Sequence, residues 1–513
     1  MVRWNHEQTP VNATFDGLFQ LFFRKWTAVK KEQFIELCKT DPEEVFKLFC
    51  MMGETITTLQ AQVVVLKEQV ESLQAEVKEL KARLGQNSKN SNKPPSSDEF
   101  FKPKSTRKKS GKKTGGQKGH PGHTLKMSDN PDLIIVHRES TCSDCGCSLV
   151  GQPARSRERR QSFDIPVPRK EITEHISETI CCAGCGKFNK AEFPPQITQP
   201  VQYGPNLLAQ LVYLSQYQLI PYNRVVEFVS DIYDLKISEA TVYNAIKTAY
   251  DNLEPVEEVI AMQLKASPVL NTDETGLRVE NKLQWLHVAS TKFLTHFMWH
   301  PKRGSKATDA IGILPNYEGT IIHDYWKSYY NYTCTHSLCN VHNIRELTGI
   351  FELTEEKWAQ NMIDLLLEIK EKVDQLKQKP RLLSTEEKDS FKKRYDHIVA
   401  AGYLANPPPE PVKKRGRPKQ GKARNMLKRL SEHRHEVLAF MEDYRVDFDN
   451  NQAERDLRMV KLRQKISGVF RSAKGADMFC RIRGYISTAR KNSLSAFSAI
   501  SDVFHGKPFI PEF

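Results

Sequence analysis

Nine apolar residues spaced alternately three and four apart, Ile56, Leu59, Val63, Leu66, Val70, Leu73, Val77, Leu80 and Leu84, commit one stretch of this chain to a helix with a heptad seam. The chain's own body could cover such a seam, but four unbroken heptads favour self-association. Residues that are mostly β-branched at one core position, with Leu at the other, suit a parallel two-stranded coil. A homodimer is therefore expected. Asp41-Pro42-Glu43-Glu44 opens the helix, with Asp as cap and Pro at the first helical position, and Gly85 closes it. Residues 1–85 are read as N-terminal helices and coiled coil.

The next segment cannot fold by itself. Residues 86–128 are built of Asn, Ser, Pro, Lys and Gly and form a flexible basic linker. Within it, residues 102–118 hold eight Lys/Arg and no acid, and a second strip at 413–429 holds nine and no acid. Those seventeen exceed the net charge of +14, so the remainder stands near balance, at −3. Cations gathered into low-complexity strips suit a polyanion, since they release counterions from phosphate at little folding cost. DNA is the expected partner. No uninterrupted apolar run approaches the roughly 18 residues that cross a bilayer, and the amino terminus lacks the apolar stretch of a signal peptide. The expectation is a cytoplasmic protein without a membrane partner.

In that compartment eleven cysteines point to metal rather than disulfides. Cys142-x-x-Cys145 and Cys182-x-x-Cys185 flank a segment with β character (Phe163, Ile165, Val167, Ile172, Ile176, Ile180), and four thiolates make a structural Zn²⁺ site. Cys147 and Cys181 lie close enough to leave the exact ligands open. Residues 129–200 are read as the zinc module. Residues 201–258 read as helices: Pro205 to Ser215, Tyr222 to Tyr233, and a third capped by Ser238. A short turn before a helix bearing Thr241, Tyr243, Asn244 and Lys247 resembles helix-turn-helix, with Thr241, Asn244 and Lys247 as candidate DNA contacts. Generic three-helix packing explains the pattern equally well.

From 268 the pattern changes to strands, at Val269–Asn271, Trp285–Ala289, Thr295–Trp299 and Thr320–His323. Asp273 and Asp324 follow the first and last of these. If those two strands are neighbours, the carboxylates can share divalent cations. A third acid, Glu454, lies in the helical run Asn450–Arg458, with Arg455, Arg458 and Lys461 on a basic side. Arg415-Gly416-Arg417-Pro418-Lys419 has the core of an AT-hook-like segment, in which Arg415, Arg417 and Lys419 contact DNA. His336-x-x-Cys339-x-x-His342 carries metal-ligand residue types but no evident fourth ligand. It is read as packing or DNA positioning rather than a second zinc.

Asn271-Thr272-Asp273-Glu274-Thr275-Gly276, His323-Asp324-Tyr325, Cys339-x-x-His342, Gly416-Arg417-Pro418-Lys419-Gln420 and Asn451-Gln452-Ala453-Glu454-Arg455-x-Leu457-Arg458, in that order, resemble the insertion-sequence 66 family of DDE transposases. The resemblance begins in the zipper and in Gly115-Gly116-Gln117-Lys118-Gly119-His120-Pro121-Gly122-His123 and extends to about residue 490. It departs from the family where Gln464-Lys465-Ile466-Ser467-Gly468-Val469-Phe470 replaces a more aromatic stretch. It implies a ribonuclease H-like α/β core in which Asp273, Asp324 and Glu454 are a catalytic triad holding two Mg²⁺. The implied activity is DNA cleavage and strand transfer at element ends, with element-encoded accessory proteins as further partners, in the bacterial cytoplasm at the nucleoid. About 130 residues separate Asp324 from Glu454, much of them helical, which implies a helical insertion. The fold class expected is multidomain α+β, with the core at 259–345 and 445–495, the insertion at 346–444 and a tail at 496–513. The competing reading is a DNA-binding regulator without catalysis, or an inactive relic.

Overall fold

The computed structural model describes residues 31–87, 90–91, 125–377, 383–408 and 420–512. The basic strip at 102–118 and the AT-hook-like Arg415, Arg417 and Lys419 lie outside the described residues. The chain divides into two units, Met1–Gln86 and Asn87–Phe513.

In the first unit, α1 (Lys31–Thr40) is followed by α2 (Pro42–Leu84). The Glu44 amide donates to Asp41 Oδ1 at 3.0 Å, so the sequence's Asp-Pro start caps the helix as read. All nine seam residues are uncovered, from 47% exposed at Val77 to 86% at Leu84. Pro42–Gln74 is long and apolar enough to cross a membrane by length and composition alone. That stretch is interrupted, however, by Lys47, Glu54, Lys67 and Glu68, and its apolar residues follow the heptad.

The second unit opens with a sparsely structured region. Two turns carry the cysteine pairs, and β1 (Thr179–Cys181) pairs antiparallel with β2 (Phe188–Lys190) across the second. Phe163, Ile165, Val167, Ile172 and Ile176 were expected to have β character, yet the structure gives them no strand and leaves them exposed. Alternating β-branched residues need a neighbour to accept the ladder, and only Ile180 has one here.

Order returns at Pro205. Helices α3 (Pro205–Val212), α4 (Tyr222–Tyr233), α5 (Glu239–Asn252) and α6 (Glu254–Ala266) lead into a five-stranded mixed sheet. Ser238 caps α5 as expected, accepting the Thr241 amide at 3.3 Å. Strands β3 (Val269–Val279), β4 (Lys282–Ser290) and β5 (Thr295–His300) form an antiparallel meander, and β6 (Thr320–His323) and β7 (Thr335–Leu338) add parallel to β3 on its other side. The sheet order is β5-β4-β3-β6-β7. Glu280 and Asn281, both at positive φ (52° and 62°), make the two-residue β3–β4 turn whose twist suits a hairpin. A short α7 (Ser305–Ile311) precedes β6.

Five helices follow β7: α8 (Asn340–Thr354), α9 (Lys357–Lys377), α10 (Thr385–Ala405), α11 (Lys422–Glu432) and α12 (Arg434–Glu442). The stretch read as helical from the sequence is helical here, and α8 was not expected. Then come α13 (Asn451–Ser467), α14 (Ala473–Lys491) and α15 (Ala496–Phe504). Strand alternation splits the interior between faces: Leu270 and Ile321 pack with α3, α5, α6, α14 and α15, while Ile322 and Leu338 pack with α8 to α12. A third cluster seats Ala453, Leu457 and Val460 of α13 on Leu277, Leu286 and Val288. Helix α14 crosses β5 at Gly484, where a Cβ would stand 3.1 Å from the Thr295 carbonyl oxygen. The helices read as a separate DNA-binding region and the residues read as a tail therefore share one core with the sheet.

Candidate active site

The β3–β6 register pairs Leu270 with Ile321 and Asn271 with Ile322, so continuing it by two positions sets Asp273 beside Asp324, one residue beyond β6. The sequence's condition that these strands be neighbours is met. The turn after β6 is held locally: the Trp326 amide donates to Asp324 Oδ1 at 3.2 Å, and the His323 imidazole meets the Asp324 carbonyl on one side and His336 Nδ1, at 3.1 Å, on the other. Burial keeps His323 neutral, holding its pKa at about 3.

Both aspartates resist ionisation. Burial, then the neighbouring charges of Glu274, Asp324 and Glu454, drive Asp273 well above the usual carboxylate range, although the Glu274 amide bonded to Asp273 Oδ1 at 2.8 Å opposes the rise. Asp324 is pushed up to about 6, chiefly by burial and then by Glu274. Glu274 itself is committed elsewhere: Tyr329 donates its hydroxyl to Oε2 at 2.6 Å, and Arg303 donates Nε to Oε1 at 2.8 Å. That guanidinium lies 3.7 Å from the Trp326 ring centroid and 4.7 Å from that of Trp285. A fourth carboxylate thus charges the cleft without being free to serve it, and its partners, 29 and 55 residues along the chain, share no local pattern with it.

Glu454 sits in the first turn of α13, and one asparagine fixes that turn. Asn450 Nδ2 donates to the Thr272 carbonyl at 2.8 Å, Asn271 Nδ2 donates to Asn450 Oδ1 at 3.0 Å, and the Asn450 amide donates to Cys339 Sγ at 3.2 Å. Asn450 is 2% exposed, so these bonds are shielded from water and tie α13 to the strand bearing Asp273. Burial raises the Glu454 pKa, while Arg345 and Arg458 oppose the rise. Its Oε1 lies 3.7 Å from Arg345 Nη2 and 3.9 Å from His342 Nε2.

Asp273 feels the charges of both Asp324 and Glu454, but the three acids are not closed into a single cluster. Among the described residues, the ligand atoms that come within 4.8 Å of one another in a group of three are those of Cys339, His342 and Glu454. Cys339 is buried and its thiol is pushed up to about 12 by that burial. His342 is lowered to about 4, again by burial, and its Nδ1 is buried without a hydrogen-bond partner.

Of the basic candidates on α13, Arg455 and Arg458 are exposed, and Arg455 Nη2 donates to Gln452 Oε1 at 3.0 Å. Lys461 is anchored, donating to the Gly276 carbonyl at 2.7 Å. On α5, Asn244 and Lys247 are exposed, with Lys247 paired to Asp251 at 2.8 Å, whereas Thr241 is half-buried beside Ser238.

The cysteine pairs form two matching turns. The Cys142 amide donates to the Cys147 carbonyl and the Cys182 amide to that of Lys187, both at 2.8 Å, and Gly146 and Gly186 take the positive φ (72° and 68°) that lets each turn close. Backbone amides aimed at Sγ, chiefly those of Cys145 and Gly184, lower the pKa of Cys142 and Cys182. Easily ionised thiols in pairs fit the donor set of zinc. The structure makes each turn but does not bring three of these thiols within 4.8 Å of one another.

A family model described as transposase IS66 family matches residues 200–478, and one described as a family of unknown function matches residues 51–126. The chain is also 23% identical over 413 residues to the uncharacterized protein y4hP of Sinorhizobium fredii (strain NBRC 101917 / NGR234), which covers 72% of this chain and 71% of that protein.

Proposed function

The chain belongs to the IS66 family of transposases, and from that premise we propose that it binds the ends of an insertion sequence and cleaves and joins DNA at Asp273, Asp324 and Glu454. One observation carries the reading: Asp273 lies within β3, which runs on to Val279 rather than stopping before Asp273 as the sequence suggests, Asp324 directly follows the adjacent parallel β6, and Glu454 lies on a helix that Asn450 clamps to β3. A five-stranded sheet of order β5-β4-β3-β6-β7, three strands antiparallel and two parallel, with the acids at β3, β6 and α13, supports a ribonuclease H-like core.

The residues fit divalent cations. Carboxylates whose pKa is raised by burial, and for Asp273 also by Glu274, Asp324 and Glu454, are relieved by positive charge beside them, and all-oxygen donors suit Mg²⁺. When bound, Mg²⁺ supplies Lewis acidity to a phosphodiester and acidity to its nucleophile, water or a DNA 3′-hydroxyl. The chain's own share is to hold three carboxylates on a rigid frame and to place Arg455 and Arg458 on the exposed side of α13 for flanking phosphates. Further DNA contacts fall to Lys461, to Thr241, Asn244 and Lys247, and to Arg415, Arg417 and Lys419. Zn²⁺ on Cys142, Cys145, Cys182 and Cys185 orders residues 129–200, and the heptad seam joins two copies. Such a protein works on the nucleoid in the bacterial cytoplasm, with element-encoded accessory proteins as further partners.

The test is cleavage of a DNA substrate carrying the element's ends. Asp273→Ala, Asp324→Ala and Glu454→Ala should each lower Mg²⁺-dependent cleavage by roughly 10³-fold or more and leave end binding within about threefold, because metal-held chemistry is separable from phosphate positioning. Full cleavage by any one variant removes that residue from the triad.

A further inference from the structure

We propose that Cys339, His342 and Glu454 form a second cation site, one for a thiophilic ion such as Zn²⁺, and that filling it withdraws Glu454 from Asp273 and Asp324. The binding half stands on geometry alone. The withdrawal rests on the catalytic reading of the triad given above.

The fold assembles the three donors from distant parts of the chain. Cys339 precedes α8 and His342 lies in its first turn, so one turn presents both, and α13 brings Glu454 from more than a hundred residues away. Their ligand atoms already lie within 4.8 Å of one another. A tetrahedral zinc with bonds of about 2.0–2.3 Å needs its donors about 3.3–3.8 Å apart, so a side-chain movement of about 1 Å closes the site. His342 and Glu454 are each about a quarter exposed, 25% and 23%, which leaves an approach from solvent and room for water as a fourth ligand.

Two features prepare the site. Cys339 Sγ already accepts the Asn450 amide, a bond that survives and strengthens when the sulfur becomes a thiolate. The second is that His342 Nδ1 is buried with no hydrogen-bond partner, so the ring has no competing bond to hold it. Binding replaces the Cys339 sulfur–hydrogen bond by a sulfur–zinc bond and releases that proton to water. No oxidant or reductant is involved.

The donor sets divide by hardness. Asp273 and Asp324 offer only oxygen and suit Mg²⁺, whereas sulfur and imidazole nitrogen select zinc-like ions. Glu454 belongs to both sets, and here its Oε1 stands by His342 and Arg345.

Co²⁺ is a spectroscopic probe for the binding half. Full-length protein freed of metal and titrated with Co²⁺ should take up one more equivalent per chain than Cys339→Ser, with an increment of thiolate-to-cobalt absorption, beyond that of Cys142, Cys145, Cys182 and Cys185, that the Cys339→Ser variant lacks and that Glu454→Gln, which also alters the triad, weakens. Cys339→Ser keeps an acceptor for the Asn450 amide, and Glu454→Gln keeps the size of a side chain only about a quarter exposed, so two independent variants guard against a folding artefact. Identical uptake and spectra in all three proteins overturn the site. For the second half, micromolar Zn²⁺ should slow Mg²⁺-dependent cleavage by the wild type, and about tenfold more should be needed with Cys339→Ser, each rate normalised to its own value in Mg²⁺ alone. Zinc that binds here without slowing cleavage overturns the withdrawal of Glu454. Absence of cleavage in every protein counts against the catalytic reading, and the cobalt titration then decides the site.

Discussion

Up to Gly204 nearly every described side chain is exposed, and from Pro205 onward three continuous clusters of buried residues run to Val503. Both regions carry groups suited to metals, but they hold them differently. Asp273, Asp324 and Glu454 are placed by strand register and by a buried asparagine, in surroundings whose burial raises the pKa of each. Cys142 and Cys182 are held by the backbone bonds of their own turns, and among the described residues no buried cluster includes either pair. A packed core can impose unfavourable geometry on a site. A region without a core must import its order, and the proposed zinc and the proposed second chain are the two sources open to it.

The contrast is broken most forcefully by removing metal. Protein purified without chelator should contain about one zinc per chain in the cysteine module, and stripping it should unfold residues 130–200, since structural zinc contributes about 10–16 kcal/mol to small modules of this kind. Hydrogen exchange should show protection lost there while β3, β6 and α13 keep theirs. Elemental analysis that finds no zinc, or exchange unchanged after chelation, would sink the idea that this region borrows its fold.

The heptad seam is the other borrower. Lys at both Leu66 and Leu73 places charge in two layers that a partner helix must cover, and at ~25 cal/mol per Å² of apolar surface the loss amounts to several kcal/mol. Residues 40–90 should then sediment as a monomer at concentrations where the unaltered segment is a dimer. Joining of paired ends should fall far more than binding of a single end. A wild-type segment that is monomeric at high micromolar concentration would refute the coil.

On the other side of the comparison, Asn450→Ala should cost about 2–4 kcal/mol, because it strands the Asn271 amide and the Thr272 carbonyl in a buried setting. Thermal unfolding reads the loss, and cleavage should fall further than DNA binding does, since α13 loses its tie to the strand that bears Asp273. A variant with wild-type stability would mean that packing of Ala453, Leu457 and Val460 alone positions Glu454.

What could be read from the sequence follows the same division. The starts of the strands announce themselves locally, through β-branched runs, and the capped starts at Asp41 and Ser238 are equally local, but Asp273, read as following a strand that ends at Asn271, lies inside β3 because the β4 ladder carries the strand on to Val279. The clamp between Asn271 and Asn450 spans 179 residues, so no window of sequence contains it. Thr335–Leu338 escaped notice as a strand because Thr-His-Ser-Leu has little β character until β6 lies beside it. Periodicity also says that a helix has an apolar face without saying what that face meets. That is why residues 201–258 and 496–513 read as separate pieces although Val242, Ile246, Ile500 and Val503 enter one cluster with Leu270 and Ile321.

The smallest expected effect tests whether the core does impose its carboxylates. Asp324 is raised from the ordinary 3.8 to about 6, so between those values the folded protein binds more protons than the unfolded chain, and this group's contribution to stability falls as pH rises through that window. Above about pH 6 the cost is fully present, of order 1–2 kcal/mol for a group that is partly exposed. His287, His323 and His342, all lowered by burial, pull the other way below the ordinary imidazole value. The readout is therefore a difference: without divalent ions, Asp324→Asn should be more stable than the wild type at pH 7, and the gap should close toward pH 4. Mg²⁺ at pH 7 should raise the melting temperature of the wild type more than that of the variant, because the ion favours the ionised form that burial penalises. The zinc module should show the opposite sign, since its thiols must lose protons to bind metal and it strengthens as pH rises. Equal wild-type and Asp324→Asn stability across pH 4–7 would mean that Asp324 ionises freely in the cleft, and the imposed-geometry account of this region would fail.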